Sequence, residues 1–141
     1  MDIMVRNPVG PEALMATGTP VPHRTLFLAA AAFNALAGLG LIFHGLWFER
    51  FGVTPYPDNS FFLALLTCLV LTFGYGYYLV AGDFATHRPI VRLGAIGKLL
   101  VFITALAYFV AGHASWHLAL VTAGDLVFAV LFIRALLITP A

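Results

Sequence analysis

The chain has 141 residues, of which 62% are hydrophobic and 9% charged, and its net charge is +1. That length suits one domain, but a soluble domain carries about 25% charged residues to cover its surface in water, so this surface must face lipid. The weak net charge argues against a nucleic-acid binder, which shows a basic patch or stripe. A single cysteine, Cys68, excludes an internal disulfide framework and a cysteine-rich zinc site.

Residues 1–24 hold Pro8, Gly10, Pro11, Gly18, Pro20 and Pro22, and so read as a flexible tail. Four continuously apolar blocks follow, over about residues 25–48, 61–81, 89–112 and 115–138. A helix needs about 20 residues to cross a hydrocarbon core of about 30 Å, and each block reaches that length. Barrel strands would alternate apolar and polar residues instead. The first block is too long for a secretory signal, and more membrane follows it. The expected fold is therefore all-α: a four-helix transmembrane domain over residues 25–138, running up-down-up-down. Short loops make sequential helices antiparallel neighbours.

Basic residues set the expected orientation. Arg6, Arg24, Arg88, Arg92 and Arg134 fall on one side of the membrane and Arg50 on the other. Positive residues in short loops stay cytoplasmic, so both termini and the 82–89 loop are expected inside. Trp47, Tyr56 and Trp116 mark the outer boundary, and Tyr75, Tyr77 and Tyr78 the inner one, the depths that amphipathic rings prefer.

Three polar residues lie deep in these blocks. Lys98 is about nine residues into the third span and Asp125 about ten into the fourth, which places both near the midplane at 1.5 Å per residue. A charge there costs about 2.5–3.5 kcal/mol on insertion scales, so it should face the interior and find a partner. Folding the last two spans back on each other near residue 113 brings Asp125 within a lysine stem of Lys98. Asn34 lies at comparable depth in the first span and could join them. The pair could serve as a proton or ion relay, but no second acid lies along a path, and the reading favoured here is a structural pair that fixes which faces meet.

Small residues supply the expected packing faces: Ala30 and Gly38 in the first span, Gly94 and Gly97 in the third. Such stripes let helix backbones approach closely in lipid. They serve either the bundle itself or a dimer or partner face. His44, His113 and His117 lie toward the outer boundary, where with Glu49 or Asp58 they could hold copper or zinc, or supply axial ligands to a haem. Thr72-Phe73-Gly74-Tyr75-Gly76 looks like the filter string of potassium channels. It ends an unbroken span and is followed by Arg88 and Arg92, so its two glycines read as packing residues. No nucleophile has a histidine–carboxylate set that spacing can place, and no glycine-rich phosphate cradle is present.

The small-residue-rich first span ending in Phe43-His44-Gly45, the arginine-bearing middle loop and the continuous run of spans resemble the small four-helix bacterial inner-membrane proteins of DoxX-like layout. The likeness covers residues 24–138. It implies a small membrane protein of that location and assigns no site residue. The expected function is a non-catalytic accessory subunit or self-associating module. Its expected partners are membrane lipid and other copies or membrane subunits, with no nucleic acid. The alternative is a redox or transport protein using the outer histidines or the Lys98/Asp125 pair.

Overall fold

A computed structural model describes residues 23–139. It contains five helices: α1 (Arg24–Ile42), α2 (His44–Phe51), α3 (Ser60–Gly82), α4 (Arg88–Val110) and α5 (Trp116–Ile138). There is no strand among the described residues. All but α2 are long and apolar enough to cross a membrane, where internal hydrogen bonding of every backbone group forces helix. Of the expected tail, residues 1–22 lie outside the described residues, and Arg24 already opens α1.

The first span is shorter than its hydropathy suggests. It ends at Ile42, and the chain turns at Phe43 (φ −100°, ψ 26°) into the short helix α2. Here the His44 ring Nδ1 donates to the Leu41 carbonyl at 3.0 Å, and Leu46 N–H donates three residues back, to Phe43. A side chain that takes a ladder carbonyl is a standard cause of a sharp bend. α2 is two-sided. His44 and Phe48 pack on Tyr56, and Trp47 stacks on Phe51 with centroids 5.9 Å apart. Glu49 and Arg50 lie on the opposite face, a pattern that suits the membrane–water boundary.

Local signals set the other ends. The Asn59 side chain accepts from Phe61 N–H and Phe62 N–H, both at 3.1 Å, and starts α3. Pro89 sits in the first turn of α4, where no N–H is needed. Gly112 adopts φ 75° to turn α4 into α5, through residues 111–115 rather than the two residues expected. Arg88 closes the C-terminal end of α5. Its guanidinium donates to the Thr139 and Leu136 carbonyls, which α5 cannot satisfy itself, and lies over the Phe84 ring. The His23 ring also packs on Phe84 and pairs with the Thr139 hydroxyl at 2.9 Å. In the same linker, hydrogen bonds from Thr86 hold the Asp83 carboxyl below the usual carboxylate range.

The helices associate as two tight pairs, α1 with α3 and α4 with α5. Backbone contact between α3 and α4 is sparse, so the pairs meet mainly through side chains. Most of the core lies toward the end that holds His23 and Thr139: Phe27, Tyr77, Val80, Phe84, Val91 and Phe132 are fully buried there. Toward the far end, the buried residues among those described thin out to Gly38, Thr67, Ala105 and Thr122.

Candidate functional site

One polar chain crosses the middle of the bundle and touches all four long helices. Asn34 on α1 donates from Nδ2 to the Val70 carbonyl on α3 at 3.0 Å. Its Oδ1 accepts from Lys98 Nζ on α4 at 2.9 Å, and Lys98 Nζ also donates to Asp125 Oδ1 on α5 at 2.6 Å. Lys98 is buried, with 6% of its side chain exposed, against 17% for Asp125. Asn34 is buried as well. The structure thus brings together the three deep polar residues singled out by the sequence.

Three aromatic rings complete the surroundings of the ammonium. Phe33, Tyr77 and Phe128 have their centroids 4.9, 5.5 and 5.4 Å from Lys98 Nζ. Ring faces attract a cation at such distances, more strongly when water is excluded. Two glycines make room for two of these rings. A Cβ on Gly94 would stand 2.6 Å from Tyr77 Cε1, and one on Gly124 would stand 2.9 Å from Phe33 Cε2. Gly94 lies one turn before Lys98, so that charge and the socket for its aromatic neighbour share a face of α4, while Gly124 directly precedes Asp125 in α5.

Sequence reasoning missed the cage. Spacing from the span's end puts Tyr77 in an interfacial belt with Tyr75 and Tyr78. Those two are exposed, whereas Tyr77 is buried over Lys98. The available signal was Gly94, four residues before a midplane lysine, where only a glycine leaves room for a ring. Phe33 and Phe128 carry no signal that separates them from eleven other phenylalanines.

The expected packing residues fare unequally. Ala30 is fully buried. A Cβ on Gly38 would meet Leu71 Cδ2 at 2.5 Å, so α1 and α3 approach closely there. Gly94 is the Tyr77 socket. Gly97, expected on the packing face, has nothing within 4 Å of where a Cβ would stand. Its small size serves no contact among the described residues. In the filter-like string, Gly74 lies against Asn34 Cβ (3.1 Å) and Gly76 against Ile90 Cγ2 (3.2 Å), both as helix contacts.

The outer histidines occupy separate settings. His44 is held by Leu41 and Tyr56, His113 lies against Tyr108, and His117 packs on Trp116 at 3.8 Å between centroids. His117 Nδ1 is buried with no hydrogen-bond partner among the described residues. No group of three or more His, Cys, Asp or Glu residues that could hold a metal ion occurs among the described residues. Cys68 is exposed.

Chemically, the midplane chain is a charge-compensated clasp. Each helix contributes one polar group, and ammonium and carboxylate neutralise each other where either alone would be costly. In comparisons with known proteins, no family model, no curated protein and no solved structure matches the chain.

Proposed function

We propose that this chain is a non-catalytic membrane module, an accessory subunit or self-associating protein of a membrane assembly. Its layout is like that of small DoxX-like proteins of the bacterial inner membrane, and the arginine distribution puts both termini in the cytoplasm. One observation carries the reading: the polar groups at the midplane bond to one another and tie α1, α3, α4 and α5 into a single unit. Such a unit presents apolar helix faces to its surroundings, the kind of surface through which membrane subunits associate.

The test is purification in mild detergent, followed by native mass, absorption spectrum and metal analysis. The expected product is colourless and metal-free, and migrates as a multiple of 15.2 kDa or with a partner subunit. A Soret band, stoichiometric copper or zinc, or a strictly monomeric protein without partners would overturn the reading.

A second reading, proton or ion movement through the pair, has one observation in its favour: the Asp125 side chain is more exposed than that of Lys98. Asp125→Asn in sealed vesicles separates the two. Loss of a pH- or cation-gradient-driven flux would support transport, and an unchanged flux supports the module.

A further inference from the structure

The two ends of the bundle carry opposite charge balances. At the end that holds His23, the described residues set Arg24, Arg88, Arg92 and Arg134 against one acid, Asp83. The Asp83 carboxylate already accepts from Thr86 N–H at 3.0 Å. At the far end, Arg50 stands against Glu49 and Asp58. Arg88 is engaged with the Leu136 and Thr139 carbonyls. Arg24, Arg92 and Arg134 are exposed and have no ion-pair or hydrogen-bond partner among the described residues.

Depth decides what these three arginines meet. Arg24 opens α1. Arg92 lies four residues after the start of α4 and Arg134 four before the end of α5, about 6 Å along each helix axis. The bonds from Lys98 to Asp125 and from Arg88 to Leu136 fix an antiparallel register between these two helices. That register sets Arg92 and Arg134 level to within about one turn. Both rise from apolar surface: Leu93 and Ile96 near Arg92, and Ile133 and Leu137 near Arg134, are all exposed. A guanidinium so placed extends along its stem to the headgroup level. There it stays charged and binds phosphate through two parallel N–H donors. A zwitterionic headgroup brings its own cation with the phosphate, so a rim with no unengaged acid among the described residues favours a headgroup of net negative charge.

We propose that Arg24, Arg92 and Arg134 form a basic rim that selects phospholipids with a net-negative headgroup from the leaflet at this end of the bundle. The rim depends neither on how copies associate nor on which side of the membrane this end faces. The test reconstitutes the full chain in dioleoyl phosphatidylcholine vesicles with a trace of spin-labelled phosphatidylglycerol or spin-labelled phosphatidylcholine. The fractions of the two labels immobilised against the protein are then compared. One basic residue near an anionic headgroup contributes about fivefold, so phosphatidylglycerol should be preferred by at least about fivefold. The preference should fall in about 1 M sodium chloride, where the screening length shrinks to about 3 Å. Arg92→Gln with Arg134→Gln should bring it below about twofold, and Arg92→Lys with Arg134→Lys should keep most of it. Arg50→Gln, at the far end, should leave it unchanged. Arg134→Gln alone replaces the double variant if circular dichroism shows that the latter does not fold, and should at least halve the preference. The proposal falls if the two lipids are immobilised equally, or if Arg50→Gln acts like the rim substitutions. It falls if inorganic phosphate abolishes the preference where chloride at the same ionic strength does not, which would make the ligand free phosphate. It also falls if the rim substitutions dissociate an oligomer while the preference persists, which would make the occupant a second copy.

Discussion

Removal of one partner from the midplane clasp should destabilise the protein far more than removal of both. Lys98→Met leaves the Asp125 carboxylate and Asn34 Oδ1 without their donor in a nearly closed interior, and breaking a buried pair in this way costs about 3–5 kcal/mol. Asp125→Leu leaves the ammonium, but Asn34 and three ring faces still hold it. Each ring is worth about 0.5–2 kcal/mol, so this loss should lie near the lower end, about 3 kcal/mol. The double substitution removes both charges and orphans only Asn34 Oδ1, at about 1–3 kcal/mol. Independent sites would add to about 6–8 kcal/mol, so the expected coupling is several kcal/mol. Reversible unfolding in mixed micelles, followed by the fluorescence of Trp47 and Trp116, measures all four corners of the cycle. Additive losses would refute the pairing and show that each residue is satisfied elsewhere.

The two glycines of α4 should respond in opposite ways. Gly94→Ala pushes a Cβ into the Tyr77 ring and should cost about 1–3 kcal/mol as an overpacked core, whereas Gly97→Ala meets open space and should be neutral or stabilising by up to about 1 kcal/mol; the same unfolding assay reads both. Reporter fusions at Ala141 and near Ala85 should be active only with a cytoplasmic reporter, and a periplasmic reporter working at either site would reverse the proposed orientation. His113→Ala and His117→Ala should change neither spectrum nor metal content, and loss of a bound metal on either substitution would point to the redox alternative. Because the Asp83 carboxyl titrates below its ordinary value, its bond with Thr86 contributes stability above that ordinary value, about 3.9, and loses it as pH falls through the depressed one. Asp83→Ala should remove that part of the acid-side slope in a pH series of thermal scans.

The membrane fold was legible because lipid leaves the backbone a single choice. Four apolar runs of sufficient length become four helices whatever their side chains, and a short connection between the last two fixes their register closely enough to set Asp125 against Lys98 by counting residues. The bend at Phe43 was not legible. Hydropathy continues unbroken through Leu41-Ile42-Phe43 and again at Leu46-Trp47-Phe48, and what ends α1 is one imidazole reaching one carbonyl. The looseness of the contact between the two helix pairs was not legible either. Sequential order makes α3 and α4 neighbours as well, yet their backbone contact is sparse and side chains carry most of it. One of these contacts is the Tyr77 ring, which stands between α3 and α4 in the socket that Gly94 leaves. That ring is also one of three that surround Lys98. The same side chain thus takes part both in the α3–α4 contact and in the enclosure of the ammonium. A smaller residue at position 77 would therefore leave the Gly94 socket empty and remove part of the cage that makes a midplane lysine tolerable.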